Sequence, residues 1–456
     1  MSRAQPSAEL RGHAGLPPGP RLPSVVQALA WAKRPLSFLE RSHRRFGDIF
    51  TLRIRHAGTW VVLCDPEDVK RVFTADPATM GVSEANPVLG ALLGERSVML
   101  LEEPEHMTRR KLMLPPFHGK RMEGYGPMMG EVARAEVARW PIGEPFELWP
   151  RMQAITLEVI MRVVFGSVES EQLGRLRRLL EQLTEWLNEP RHLTMLAVFG
   201  PGWLERSRAF RSARGAIETT VLEEIRRRRA QASTHRGDDI ISMLEQARYE
   251  DGTPMSERDL CDELITLLSD GPTSTSLAWT FERLLRHPQK LARLREEVLA
   301  GEEDTYLNAV VRETMRLCPP VPVVVRRLLE PMQLGAYTIP AGATVAPCIH
   351  LMHHREDVYP RPREFLPERF LGQAPGTYTW LPFGGGARRC LAASFALQEM
   401  NCVATAVLGE VELRADASPS EQVTRSSIAF APDRRALAVV VRRTRDAAAA
   451  PELAAR

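Results

Sequence analysis

Apolar and polar positions follow two rhythms along this chain. Short β-rich runs lie toward both ends, and a helical pattern fills the long middle. Residues 25–46 read as helical. "DIFTLRIRHAGTWVVLCDPEDVKRVF" then gives two β-rich runs, about 49–55 and 59–64. "HAGT" joins them as a hairpin, and a helix restarts at Asp65-Pro66. The stretch 81–101 has no clean period and reads as a loop with short helical turns. From about 104 to 318 the pattern is helical, punctuated by Pro115-Pro116, Pro141, Pro190, Pro201 and Pro288. Short β-like runs follow Pro319-Pro320: "VPVVVRRL", "MQLGAYTIPAG" and "TVAPCIH". A last long helix follows Cys390, and "SSIAFAP" and "ALAVVVRR" return to β. The pattern predicts a mainly α chain with a small β-rich part built from both ends. Residues 1–24 form an irregular Pro/Gly-rich start, 25–444 one domain, and 445–456 a disordered tail.

Composition narrows the class only a little. The 456 residues are 44% hydrophobic, enough for a sizeable core. A net charge of +3, carried mostly on arginine, gives no reason to expect nucleic acid as a partner. The six cysteines are scattered, with no C-x-x-C pair, which argues against a disulfide framework and for a reducing compartment. No stretch has the length of a signal-peptide core or of a membrane helix. These features predict a cytoplasmic protein that is soluble, binds no membrane and is monomeric.

The candidate chemistry lies in "LPFGGGARRCLA". Cys390 sits just before a helix, whose free N–H groups and partial positive charge stabilise a thiolate, as do Arg388 and Arg389. Gly384, Gly385 and Gly386 remove side chains, so that a flat ligand can approach the backbone. A lone thiolate on such a loop is a soft metal ligand. A cysteine on a tight turn is more often buried and inert. Here the spacing Phe383-x-x-Gly386-x-Arg388-x-Cys390-x-Ala392 resembles the haem-binding loop of the cytochrome P450 superfamily. The family usually has Gly in the place of Ala392.

Other stretches resemble the same family. Glu313 and Arg316, one turn apart in "LNAVVRETMRLCPP", resemble its E-x-x-R, and Arg369 in "FLPERF" completes a buried Glu-Arg-Arg cluster. Alone, Glu313 and Arg316 would read as a surface ion pair worth little. The resemblance places His106, Arg110, Arg326 and Arg388 against the haem propionates, with Arg327 a close competitor to Arg326. "DELITLLSDGPTSTSLAWTFERLLRHP" resembles the long central helix over the distal haem face, whose usual pattern is [A/G]-G-x-[D/E]-T-[T/S]. Aligned from the left, Thr273 falls in the acid's place and Ser274 in the threonine's. Aligned from Trp279 and His287-Pro288, the threonine's place falls near Pro272 or Thr273. The acid–alcohol pair is thus altered, and Pro272 and Gly271 predict a widened turn. Asp270, Thr273 and Ser274 are the candidate proton-relaying residues, although such hydroxyls can equally serve helix carbonyls.

The resemblance spans nearly the whole chain. It implies the cytochrome P450 fold, with haem b (iron protoporphyrin IX) between the long central helix and the Cys-loop helix. Cys390 would be the metal ligand, with Phe383, Gly386 and Arg388 lining the cofactor. The implied activity is that of a bacterial haem-thiolate monooxygenase placing one atom of O2 into a C–H bond, by hydroxylation or epoxidation. The thiolate favours O–O cleavage. No flavin or iron–sulfur motif is present, so electrons would come from a ferredoxin or flavodoxin. Arg109, Lys111, Lys120 and Arg389 are the candidate docking cations. Apolar stretches expected over the haem (Val88 to Leu93, Leu268, Val321 to Val325, Ile428 to Phe430) point to a lipophilic substrate. A terpenoid, steroid, fatty acid or polyketide of secondary metabolism would fit. Two rival readings are a peroxide-driven or isomerase-type haem-thiolate enzyme and a non-catalytic haem-binding protein.

Overall fold

A computed structural model describes residues 15–166, 170–230, 237–269, 271–426 and 429–444. Asp270, Ile428 and the segment 445–456 therefore lie outside the described residues. The two rhythms of the sequence become a helical body and a smaller sheet layer.

The β-rich layer is built around the hairpin. Strand Ile49–Ile54 pairs antiparallel with Gly58–Leu63, which takes Thr344–Pro347 as a parallel neighbour. Arg326–Leu328 and Met80–Gly81 complete a five-stranded sheet. Distant segments thus meet in one sheet, with an apolar cluster on each face. The helical stretch 25–46 is two helices, Ser24–Lys33 and Pro35–Phe46. Pro35 lacks an N–H and pushes Arg34 to φ −144°, ψ 60°, which ends the first helix. The helix Pro66–Thr74 starts where expected, with the Asp65 carboxylate accepting from the N–H of Glu67 at 3.0 Å and of Asp68 at 3.3 Å.

Two smaller sheets come from the C-terminal part. Leu437–Arg443 lies between Pro145–Glu147 and Val411–Ala415, and Val423–Ser426 pairs with Ala429–Pro432. The segment 81–101 contains the helix Pro87–Leu93.

The helical body surrounds Gly271–Leu285, a helix buried along most of its length. It packs against Leu148–Phe165, Thr305–Leu317 and the helix after the cysteine loop, Ala393–Glu410. The continuous central helix expected over 262–288 is broken. Glu257–Leu268 ends as Ser269 leaves the helical region at ψ 39°, and its hydroxyl folds back onto the Ile265 carbonyl at 2.8 Å. The chain restarts at Gly271, so Pro272 lies in a first turn, where a missing N–H costs nothing. Proline has therefore produced a helix start rather than a widened turn. Among the described residues, no helix is long and apolar enough to cross a membrane.

Candidate haem-thiolate site

The cysteine loop is a tight structure in its own right. Gly386–Arg388 makes a single 3-10 turn, the Cys390 N–H donates to the Phe383 carbonyl at 2.9 Å, and the helix Ala393–Glu410 follows. Cys390 is exposed, whereas Cys64, Cys261, Cys318 and Cys348 are buried and Cys402 is half-buried. One thiol is thus presented outward beside a helix start.

Two of the loop's glycines serve packing. A Cβ on Gly386 would lie 2.1 Å from the Phe73 carbonyl oxygen, and one on Gly385 2.9 Å from the Phe73 ring. Their missing side chains let the loop press against the helix Pro66–Thr74. Gly384 has nothing within 4 Å, and both Gly384 (φ 66°) and Gly386 (φ 68°) adopt left-handed backbone. Two alanine variants separate these effects. Gly384→Ala is expected to cost about 1–2 kcal/mol, from conformation alone. Gly386→Ala adds a backbone clash and is expected to cost more than about 3 kcal/mol. Urea unfolding midpoints of the two variants check the order, and equal losses would contradict it.

A cluster of basic groups gathers beside this loop. His106 and Arg110 come from the helix Glu105–Met113, Arg326 opens the strand Arg326–Leu328, and Arg388 belongs to the cysteine loop. Each is held where its charged form is disfavoured. Burial, then repulsion from Arg388, lowers the Arg326 pKa to about 10. Burial lowers those of Arg110 and Arg388, and burial followed by Arg388 lowers that of His106. The local acids offset this only in part. His106 Nδ1 lies 2.6 Å from Glu103 Oε1, and Arg388 reaches Glu102 Oε2 at 3.6 Å while donating to the Leu101 carbonyl at 2.6 Å. The Arg326 guanidinium donates to its neighbour's carbonyl, Val325 O, at 2.8 Å. Its competitor Arg327 pairs with Glu84 at 2.9 Å on a more exposed side chain. Withdrawn cations set against their mutual repulsion are a place for anions. Beside an exposed thiol they fit a macrocycle carrying two carboxylates, and haem is such a group.

The ion cluster below the loop is fully built. Arg316 Nε and Nη2 donate to the two Glu313 oxygens at 2.7 and 2.9 Å, and Arg369 Nε donates to Glu313 Oε1 at 3.1 Å. The Leu366 N–H adds a fourth bond to Glu313 at 2.9 Å. Arg316 Nη1 donates to the carbonyls of His353 and Pro362, at 2.7 and 2.8 Å. Glu313 and Arg316 are both 0% exposed, which rules out the surface ion pair.

Thr273 and Ser274 are buried in the first turns of Gly271–Leu285. The Ser274 hydroxyl donates to the Gly271 carbonyl at 3.0 Å, and Thr275 and Ser276 bond to the carbonyls of Gly271 and Pro272. Asp270, the third candidate, is outside the described residues. Val88 and Leu92 line an apolar cleft, and Leu268 and Phe430 are buried.

The docking cations divide. Arg109 is buried, with its guanidinium on Glu263 at 2.9 Å, Asp259 at 3.3 Å and the Tyr249 hydroxyl at 2.9 Å, so it presents no charge to a partner. Lys111 is exposed with Glu250 at 3.1 Å, and Arg389 is exposed. The side chain of Lys120 lies outside the described residues. The Arg109–Glu263 pair was invisible as a helix-face pattern because its partners lie 154 residues apart. Burial raises the Glu263 pKa to about 7 despite Arg109 and the Val98 N–H.

A second group of possible metal ligands, His43, Asp48 and Cys64, lies in the sheet layer. Arg355 already supplies the cation there, at 3.0 Å from Asp48, and burial pushes the Cys64 thiol well up.

Comparison with known proteins agrees with this geometry. The family model described as Cytochrome P450 matches residues 16–438. The chain is 40% identical over 450 residues to a cytochrome P450 135B1 of Mycobacterium tuberculosis, covering 97% of this chain and 94% of that one. It is 37% identical over 432 residues to a cytochrome P450 137 of the same organism, covering 93% and 90%. Among solved structures, it resembles a retinoic acid-bound cyanobacterial CYP120A1 with a TM-score of 0.78 at 22% identity, covering 94% of this chain and 99% of that one. It resembles the haem domain of cytochrome P450DA with a TM-score of 0.79 at 24% identity, covering 94% and 97%.

Proposed function

We propose, for a chain that belongs to the cytochrome P450 family, that it is a haem-thiolate monooxygenase acting on a lipophilic small molecule. The observation that carries this reading is the exposed Cys390 thiol beside four withdrawn basic groups. When bound, haem supplies the activation of dioxygen and the transfer of one of its atoms to a C–H bond.

The chain's own residues hold and orient. Cys390 offers a thiolate steadied by the helix start behind it and by neighbouring arginines. Arg110, Arg326 and Arg388 would neutralise two carboxylates, relieving the repulsion now lodged among them, and His106, whose charged form is disfavoured, would add a neutral hydrogen bond. Glu313, Arg316 and Arg369 keep the segment after Pro360 locked to the helix Thr305–Leu317. Substrate contact falls to the apolar side chains of the cleft, Val88, Leu92, Leu193 and Leu196 among them. A terpenoid, steroid, fatty acid or polyketide body suits such a lining. A screen of these classes for shifts of the haem Soret band, followed by product analysis with surrogate redox partners, tests the assignment. A chain that takes up haem with thiolate ligation yet yields no oxygenated product from any of them would overturn it.

Protons reach the site through hydroxyls. Ser274 donates its own proton to the Gly271 carbonyl but keeps its oxygen as an acceptor for a water, and the buried Thr273 before it is the second candidate hydroxyl. Thr273→Ala and Ser274→Ala alone are expected to lower product formed per NAD(P)H by about twofold, and the double variant by about tenfold, with electrons lost to hydrogen peroxide. Unchanged coupling in the double variant would show that proton delivery runs elsewhere. Electrons would come from a ferredoxin or flavodoxin approaching Arg389 and Lys111, in the cytoplasm, with the enzyme a monomer.

One observation favours a second reading. Positions 271–276, the first turns of the helix that restarts at Gly271, carry no carboxylate. A peroxide-driven hydroxylase does not need one, and turnover with hydrogen peroxide in the absence of redox partners would distinguish it.

A further inference from the structure

The carboxylate of Glu263 stands where two routes to the basic groups meet. It is fully buried in the helix Glu257–Leu268 and accepts from Arg109 Nη1 and from the Val98 N–H, each at 2.9 Å. The first route is the helix Glu105–Met113. Arg109 is fixed by Glu263, by Asp259 at 3.3 Å, by the Tyr249 hydroxyl at 2.9 Å and by the Arg96 carbonyl at 3.3 Å. The same short helix carries His106 and Arg110. The second route is the turn that Ser97 opens. The Ser97 carbonyl accepts from the N–H groups of Leu100 and Leu101, at 2.8 and 3.1 Å, and the Leu101 carbonyl accepts from Arg388 at 2.6 Å. The helix Glu257–Leu268 grips the start of this turn at three successive residues. Asp262 takes the Arg96 N–H at 3.2 Å, the Thr266 hydroxyl lies 2.8 Å from that of Ser97, and Glu263 takes the Val98 N–H.

We propose that Glu263 is a positioning residue for the haem carboxylates, setting the places of His106, Arg110 and Arg388 through Arg109 and the turn 97–101. This rests on haem occupying the site beside Cys390. A withdrawn cation gains from a carboxylate only where donor and acceptor meet in good geometry. The turn 97–101 and the short helix after it are too brief to hold a shape alone, and they take it from bonds to their neighbours. Glu263 bonds to both, so one side chain braces donors that come from two segments. Its ionisation matters to that grip. Burial pushes the Glu263 pKa up to about 7, against the pull of Arg109 and the Val98 N–H. The other charged or titratable groups around it are Asp259 and Asp262 on its own helix, Tyr249 beyond Arg109, and Arg96, which pairs with Asp259. The ionised carboxylate makes charge-assisted bonds to Arg109 and Val98, and the protonated one makes weaker bonds.

Transfer of haem from the loaded protein to excess apomyoglobin, followed by absorption from about pH 6 to about pH 8, tests this. The proteins are the wild type, Glu263→Gln, Thr266→Val and, as a control, Glu224→Gln. Glu224 is an equally buried carboxylate, and it holds Arg227 and Arg228 within the helix Arg208–Ala230. At the upper pH, Glu263→Gln is expected to release haem about tenfold faster than the wild type. Thr266→Val should release it about threefold faster, and Glu224→Gln at the wild-type rate. Release from the wild type should quicken as pH falls through the Glu263 pKa. That rise should be smaller in Glu263→Gln, since His106 contributes equally to both. A carboxylate that only stabilised the fold predicts the opposite slope. Its pKa is raised from 4.5, so the stability tied to it is full at low pH and is lost as pH rises toward 7. Release from the wild type that slows as pH falls, an unchanged rate in Glu263→Gln, or an equal acceleration in Glu224→Gln would each overturn the proposal. Should Glu263→Gln fail to fold, a wild-type rate in Thr266→Val would overturn it alone. The thiolate band of the loaded protein, recorded before transfer, tests the monooxygenase reading separately.

Discussion

Replacing Cys390 with Ser is expected to abolish the red-shifted absorption of the reduced carbon monoxide complex, the signature of thiolate ligation. The change is nearly isosteric, and the Cys390 N–H keeps its bond to the Phe383 carbonyl, so the loop should persist. What disappears is the thiolate, because an alcohol does not ionise at neutral pH and is a hard ligand where the sulfur was soft. The other cysteines cannot take its place. Burial raises the pKa of Cys261, Cys318 and Cys348 to about 12 and that of Cys402 to about 11, and Cys64 lies well above its ordinary value. Those five remain thiols, and Cys390 alone is exposed. Absorption spectra of the dithionite-reduced, carbon monoxide-treated wild type and variant decide the matter. A band kept by Cys390→Ser but lost by Cys348→Ser or Cys402→Ser would move the ligand elsewhere.

Local signals in the sequence carried far, and non-local ones did not. The hairpin at 49–63, the helix start at Asp65-Pro66 and the helix after Cys390 were legible because turn residues, caps and apolar spacing act within a few positions. Strands Met80–Gly81, Pro145–Glu147 and Val411–Ala415 were not, because they are short and exist only through partners far along the chain. The same divide runs through the site. Cys390, Glu313 and Arg316 stand in short spacings that resemble the family's motifs, and without that resemblance each would have passed for an ordinary residue. Arg109 looked like part of a solvated basic helix until Glu263 arrived from the far side to bury it. Over 262–288 one continuous helix was expected where the chain makes two, Glu257–Leu268 and Gly271–Leu285. Proline and glycine within a helical pattern are compatible with a kink or a restart, and the Ser269 bond back to Ile265 accompanies the second.

Glu313→Ala is expected to lower stability by about 3–5 kcal/mol and to cost haem retention and soluble yield before it costs rate. Glu313 receives four hydrogen bonds: two from Arg316, one from Arg369 and one from the Leu366 N–H. Alanine removes every acceptor together and leaves a cavity. Arg316, 0% exposed, would then hold a charge answered only by backbone carbonyls, those of His353 and Pro362 foremost. Its guanidinium sits 5.1 Å from the centre of the Tyr359 ring, and that aromatic face does not replace a carboxylate. The loss should spread along the chain. The Leu366 N–H and Arg369 anchor 366–370 to the helix Thr305–Leu317, and His353 accepts the Leu381 N–H on Nε2 at 2.8 Å just ahead of the cysteine loop. Freeing the first anchor therefore loosens the approach to Cys390 without touching the thiol. Glu313→Gln keeps the shape and one acceptor oxygen but no charge, so it should fall between the wild type and Glu313→Ala. Haem content per polypeptide, soluble yield and urea midpoints of the three proteins give the ranking. A Glu313→Ala protein that is fully loaded with haem, as stable as the wild type and impaired only in turnover would assign the cluster to chemistry instead of support.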